Sequence, residues 1–280
     1  MSVIKNTLLI AIDYIKKSLL LCNLNKNESQ GFISPLSKLR FMPFTRVIVP
    51  FSLGRTVRGL SFNKNFMLDP YGKLCMDIFN GADHKDIISD LLITFKKEKD
   101  LKAADIVHLR NNIKLRKYPA WAIVMPWEKL SIEEKFESYP DSFYKNRSSK
   151  DLTFENRSRL SIIETMYSSK SLESKVNQMK KLFKSIKRHG LKKNTNLPKI
   201  NILVKANEWR WFMGDAGNHR AYICSCFDFE IFEGRVSSII YKNEVNSWQN
   251  VKNGTYSAEE AEYIFDSYFN GSDEVFGASV

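Results

Sequence analysis

Apolar residues alternate with polar ones in several short stretches of the chain. Residues 44–51, 200–204 and 235–241 have this spacing, which is typical of half-buried β-strands. An apolar run at 122–130 predicts a further short buried strand, interrupted by Pro126. The chain therefore supplies strands both before and after its middle.

Helical spacing of apolar residues predicts helices over 3–19, 86–96, 103–115 and 172–189. The last of these ends at Gly190, a residue common after helix C-termini. Ser257 and Glu260 have the spacing of a capping box and predict a helix near the C-terminus. Apolar residues line one face of the first helix, and charged residues interrupt any continuous apolar span, so it is amphipathic rather than transmembrane. Burial against the protein and peripheral membrane contact through residues 3–21 both remain open.

A glycine-containing turn follows the strand pattern in the second half of the chain. Its residues are Gly214, Asp215, Ala216, Gly217, Asn218, His219 and Arg220, and an apolar helical stretch follows. Free backbone N–H groups at a helix start bind anions, and the Arg220 guanidinium could add a bidentate contact. The alternative is a tight turn in which Arg220 pairs with a local carboxylate.

Four short motifs occur in a specific order: M-P-W-E at 125–128, K-N-R-S at 145–148, S-I-K-R-H-G-L at 185–191 and G-N-H-R at 217–220. Over about residues 118–245, this order resembles the ParB/sulfiredoxin-like superfamily. The resemblance implies an α/β (α+β) domain with a mixed sheet and flanking helices. It also implies that the G-x-H-R turn holds a nucleotide phosphate.

Departures from the family pattern narrow the activities that the resemblance implies. Asn218 stands where sulfiredoxins carry their reactive cysteine, which argues against sulfinic acid reduction. Too little chain follows Glu244 for the DNA-binding module and dimerisation region of partition proteins. The chain is most similar to the free serine kinases, with Glu128 and Asp215 as the nearest equivalents of their acidic residues. Ala216 separates Asp215 from the glycine, a further departure.

The resemblance thus implies a nucleotide-dependent phosphotransferase acting on a hydroxyl of a small molecule or saccharide. ATP or another nucleotide would be the donor and Mg²⁺ the metal. Glu128 would accept the hydroxyl proton, and Asp215 would bind the metal or orient His219. The residues expected to contact phosphate are Gly217, Asn218, His219, Arg220, Arg147 and Ser148.

Two other functions remain open from the sequence. One is a nucleotide-gated protein without catalytic activity, whose basic surface binds DNA or a membrane. The other is a metal-dependent nuclease, in which Asp215 and Glu128 would share metal ions. Trp209 and Trp211 alternate on one strand face and could either stack on a base or pack in the core.

The 280-residue chain is 43% hydrophobic, enough for a substantial core, and carries a net charge of +12. That charge favours anionic partners and leaves nucleic acid open. The four cysteines form no C-x-x-C pair, so the sequence predicts free thiols, a cytoplasmic location and no zinc site. The amphipathic segment at 3–21 leaves the inner face of the membrane open as the place within the cytoplasm. We expect three regions: a mostly helical one at 1–115, the nucleotide-binding domain at 116–250, and a C-terminal helix and tail at 251–280.

Overall fold

The computed structural model describes residues 46–98, 101–143, 169–191, 197–214 and 217–271. Several predictions lie outside these ranges: the amphipathic segment at 3–21, the phosphate contacts of Arg147 and Ser148, and the role of Asp215. Within the ranges described, no helix is long and apolar enough to cross a membrane.

Five strands of the described residues form one mixed sheet: β1 (Arg46–Pro50), β2 (Gly54–Arg55), β3 (Lys199–Lys205), β4 (Glu208–Met213) and β5 (Ile231–Tyr241). Their order across the sheet is β1-β5-β3-β4-β2. β3 and β4 form an antiparallel hairpin, whereas β5 runs parallel to β3 and β2 runs parallel to β4. The strands predicted at 44–51, 200–204 and 235–241 are confirmed.

Within the described ranges, the helices are α1 (Pro70–Phe79), α2 (His84–Glu98), α3 (Ala103–Ile106), α4 (Ile132–Phe143), α5 (Ser169–His189), α6 (Asn218–Cys226), α7 (Gln249–Lys252) and α8 (Ala258–Asn270). α5 ends at His189, as predicted, and Gly190 directly after it has a left-handed φ of 64°. The capping box is also confirmed, because the backbone N–H of Glu260 donates to Ser257 Oγ at 3.1 Å. α3 is shorter than the predicted helix, since His108 adopts a left-handed φ of 54° and ends it.

Helices cover both faces of the sheet, so the fold is α+β with two apolar cores. Side chains of successive strand residues point to opposite faces. In β4, Trp209, Trp211 and Met213 enter the core formed with α1, α2, α5 and α6, while Phe212 enters the core formed with α3, α4 and α8. The class expected from the sequence, α+β with a mixed sheet, is confirmed.

Both strand tryptophans belong to the first core. Trp209 and Trp211 are 1% and 0% exposed. The Trp211 ring stacks on Phe232 at a centroid distance of 5.5 Å, and its Nε1–H donates to the Pro50 carbonyl at 2.7 Å. The alternative in which these indoles stack on a nucleotide base is therefore wrong.

The strand predicted at 122–130 is also wrong. A short 3₁₀ turn occupies Ala120–Ala122, and the residues after it are irregular. Ala122, Val124 and Pro126 are buried alternately, so the burial pattern resembles a strand although no strand of the described sheet pairs with it. Side chains satisfy the backbone instead: Tyr256 Oη donates to the Val124 carbonyl, and one Asn250 amide donates to three carbonyls further along.

The sheet crosses the predicted boundary between residues 115 and 116. β1 pairs with β5 and β2 pairs with β4, so residues 46–55 contribute two of the five strands. Consequently, residues far upstream of the predicted nucleotide-binding domain can lie beside the glycine turn.

Candidate functional site

Glycines occupy two described positions of the turn between β4 and α6, and the second is the more restricted. The Gly214 N–H donates to the Lys199 carbonyl at 2.8 Å, and an added Cβ would approach that residue to 3.2 Å. Gly217 has a φ of 104°, and a Cβ there would lie 2.3 Å from the Cβ of Pro198. Only glycine fits this second position without movement of the neighbouring chain.

α6 begins directly after Gly217, with backbone donors at its first turn. The N–H groups of Arg220 and Ala221 donate to the Gly217 carbonyl. Those of Asn218 and His219 precede the first hydrogen bond of the helix, so the helix itself offers them no acceptor. These two N–H groups and the positive end of the helix dipole favour an anion at this position.

Three side chains from different helices meet beside this turn. The His219 ring lies 5.6 Å from the ring of Tyr71 in α1, measured between centroids. Lys175 Nζ, from α5, lies 6.0 Å from the centroid of the same Tyr71 ring. The packing of α1, α5 and α6 brings these side chains together, since all three helices bury apolar residues in one shared core.

Burial and charge together set the protonation of these groups. Burial, followed by the nearby Lys175 ammonium, lowers the pKa of His219 to about 4, so the imidazole is neutral at pH 7. Burial also lowers the pKa of Lys175, and no carboxylate among the described residues pairs with it. A partly buried cation without an acidic partner is costly to keep, and a bound anion would remove that cost.

A second polar group lies at the start of α1. Asp69 caps this helix, with its Oδ1 accepting the Tyr71 N–H at 2.9 Å, and its side chain is fully buried. Arg58 Nε lies 3.6 Å from Asp69 Oδ2. Burial raises the pKa of the Tyr222 hydroxyl well above its usual value, and the Asp69 carboxylate raises it further. This carboxylate thus links α1, the loop after β2 and α6.

The sheet explains why the loop after β2 approaches the glycine turn. β2 and β4 are parallel, with Gly54 opposite Trp211 and Arg55 opposite Phe212. Parallel strands end at the same edge of a sheet, so Thr56–Arg58 and the turn that begins at Gly214 leave from that edge together.

Glu128 lies in the irregular segment that replaces the predicted strand. The Asn250 side-chain amide donates to the Met125, Glu128 and Leu130 carbonyls at 3.0 to 3.1 Å and fixes this segment. The Glu128 carboxylate raises the pKa values of Tyr256 and Tyr268, although burial contributes more. Tyr268 Oη donates to the Val57 carbonyl at 2.7 Å, which connects the surroundings of Glu128 to the loop after β2.

Some of the predicted site residues lie within the described ranges, whereas Arg147, Ser148 and Asp215 lie outside them. The structure describes Gly217, Asn218, His219, Arg220 and Glu128, and it assigns the first four to the start of α6. Arg220 is partly buried. Burial raises the pKa of the Cys224 thiol, one turn further along the helix, and the positive charge of Arg220 opposes that rise. Among the residues described, no group of three or more His, Cys, Asp or Glu side chains could hold a metal ion.

Four residues at this edge were not predicted from the sequence: Arg58, Asp69, Tyr71 and Lys175. Asp69-Pro70 has the form of a helix start, with an N-cap aspartate before a proline, and could have located α1. No pattern among neighbouring residues indicates that Arg58 and Lys175 approach the turn. The pairing of β2 with β4 brings Arg58 there, and the packing of α5 brings Lys175.

Comparison of the chain with protein-family models, with curated proteins and with solved structures gave no match. The site is therefore interpreted from its own geometry and charge.

Proposed function

We propose that the chain binds ATP or another nucleotide by its phosphates at the start of α6 and transfers a phosphoryl group to a hydroxyl. The acceptor would be a small molecule or a saccharide. The observation that carries the proposal is the convergence at one turn of a left-handed glycine, two helix-start N–H groups and an ammonium that no carboxylate of the described chain neutralises.

The phosphate-binding groups would act as follows. The Asn218 and His219 N–H groups donate to phosphate oxygens. Gly217, whose missing side chain makes room for Pro198, holds the left-handed conformation from which the helix starts. Lys175 and Arg220 supply positive charge. His219, neutral when no anion is bound, donates one ring N–H and gains a proton more readily once phosphate is present.

The transfer step needs a base for the acceptor hydroxyl. The oxygen of that hydroxyl attacks the terminal phosphorus, the bond to the bridging oxygen breaks, and Glu128 accepts the hydroxyl proton. The products are the shortened nucleotide and a phosphate monoester. Mg²⁺ would neutralise phosphate charge, and Asp215 is the carboxylate that the sequence offers for it. Arg147 and Ser148 remain sequence-based candidates for further phosphate contacts.

The test combines turnover with nucleotide binding. We expect ³¹P NMR of ATP with a panel of hydroxyl-bearing amino acids and sugars to reveal a phosphate monoester for the wild type. Glu128→Gln should abolish the product and leave nucleotide binding intact, whereas Glu259→Gln, an exposed glutamate on α8, should resemble the wild type. Unchanged turnover in Glu128→Gln would refute the role of the base.

A further inference from the structure

The C-terminal half of α5 carries a concentrated positive charge. Its basic residues are Lys180, Lys181, Lys184, Lys187 and Arg188, and no acidic residue occurs between 180 and 189. Lys181, Lys184 and Arg188 are exposed and recur at three- and four-residue spacing, so they form one stripe on the helix. None of the three pairs with a carboxylate in the part of the chain that the structure describes. This charge is therefore available to a partner.

An aromatic cluster borders the same half of α5. Phe183 contacts Phe227 at a centroid distance of 4.7 Å and Phe79 at 6.0 Å. Phe79 is 44% exposed, and its two ring contacts are edge-type, so neither neighbour stacks flat on it. Lys180 and Lys187 stand one turn before and one turn after Phe183, on the same side of the helix. Around the helix, Lys180 and Lys187 lie between Phe183 and the stripe of Lys181, Lys184 and Arg188, so the basic residues extend from the border of the aromatic cluster to the exposed face of α5.

We propose that this basic–aromatic surface, formed by Lys180, Lys181, Lys184, Lys187, Arg188 and Phe79, binds single-stranded nucleic acid. The cations pair with successive phosphates, and Phe79 stacks on an unpaired base. A positive track beside an exposed aromatic ring is the combination by which proteins bind single strands without sequence preference.

Two features favour a single strand over other polyanions. A duplex keeps its bases stacked inside and would use the cations without Phe79. A membrane surface would require an outward apolar face on the helix, whereas Val176, Met179 and Phe183 of α5 are buried in the core. Asp228 is exposed next to Phe227 and limits the positive charge at that end of the surface.

The surface is separate from the proposed nucleotide site. Lys175 and His219 meet at one end of the α5–α6 pair. Phe183 lies eight residues further along α5, about 12 Å away at 1.5 Å per residue, and contacts Phe227, the residue directly after α6. Nucleic-acid binding can therefore fail or succeed independently of phosphoryl transfer.

The test measures fluorescence polarisation of a labelled oligothymidine strand with the full chain, at salt from about 50 to 200 mM. The triple variant Lys181→Ala, Lys184→Ala, Arg188→Ala should weaken binding at least tenfold. It should also reduce the slope of log K against log salt by about 2, because each phosphate that the variant no longer neutralises accounts for roughly 0.7 of that slope.

A control triple variant removes the same charge elsewhere. Lys117→Ala, Lys129→Ala and Lys252→Ala replace exposed lysines on the opposite side of the sheet, and binding should be unchanged. Equal weakening in the two triple variants would overturn the proposal in favour of net charge alone.

Phe79 distinguishes the kinds of partner. Phe79→Ala should weaken single-strand binding roughly tenfold without changing the salt slope, and Phe79→Tyr should restore it. Equal affinity for a duplex with no effect of Phe79→Ala would overturn the single-strand assignment. Binding to phosphatidylserine vesicles without binding to the oligonucleotide would overturn it in favour of a membrane.

Discussion

His219 should make the stability of the protein depend on pH in a way that a single substitution removes. Burial and Lys175 lower the pKa of His219 in the folded state to about 4, against 6.5 for an unperturbed histidine. The unfolded chain therefore binds the proton more tightly than the folded protein. Stability due to the neutral imidazole is complete above about pH 6.5 and decreases as the pH falls towards 4.

The two pKa values fix the magnitude. Between pH 7 and about pH 4.5, they correspond to a decrease of about 2 kcal/mol in the free energy of unfolding. The side chain introduced by His219→Gln cannot be protonated. That variant should therefore not lose this part of its free energy of unfolding over the same pH range. The other groups titrate alike in both proteins, so the difference between the two curves isolates His219.

The assay is urea denaturation of the wild type and His219→Gln at several pH values, together with NMR titration of the histidine ring protons. His84→Gln, which removes a partly exposed histidine on α2, serves as the matched control. Inorganic phosphate or a nucleotide should raise the pKa of His219, because an anion stabilises the imidazolium. A His219 pKa near 6.5 without ligand, with parallel stability curves, would refute the packing of this site.

Three other predictions concern the framework. Gly217→Ala should cost more than about 2 kcal/mol of unfolding free energy in urea, since its Cβ would clash with Pro198, whereas Gly190→Ala, left-handed but unobstructed, should cost only about 1 kcal/mol. Arg55→Met should lower the thermal midpoint by several degrees, because its guanidinium donates to three carbonyls, two of them at the end of α8. Asn250→Leu should release the segment that carries Glu128, detectable as faster amide exchange there than in the wild type. A wild-type free energy of unfolding in Gly217→Ala, a wild-type thermal midpoint in Arg55→Met or wild-type amide exchange in Asn250→Leu would contradict the corresponding interaction.

Elements with a strong period were predictable from the sequence. The apolar residues of α5 recur along one face and end at Gly190, and the alternation in β3 and β5 reflects one core on each side of the sheet. The capping box at Ser257 depends only on residues three apart. In each case a local pattern determines a local structure.

Features that depend on distant partners were not predictable. Residues 122–126 have strand-like burial, but the Asn250 and Tyr256 side chains supply hydrogen bonds that a neighbouring strand would have made. Arg58 reaches the edge of the sheet near the glycine turn only because β2 pairs with β4, more than 150 residues away in sequence. Tyr71 and Lys175 meet His219 through packing of three helices. Periodicity within one segment carries no information about such meetings.

The central claim is that a nucleotide phosphate binds at the start of α6, and isothermal titration calorimetry of ATP, ADP and CTP, with adenosine for comparison, tests it most directly. The wild type should bind a phosphorylated nucleotide and not adenosine. Lys175→Met should weaken that binding at least about tenfold without lowering the thermal midpoint, because it removes a partly buried cation that no described carboxylate neutralises. Lys252→Met, an exposed lysine across the sheet, should bind like the wild type. Undiminished affinity in Lys175→Met, or no binding of any nucleotide by the wild type, would contradict the claim.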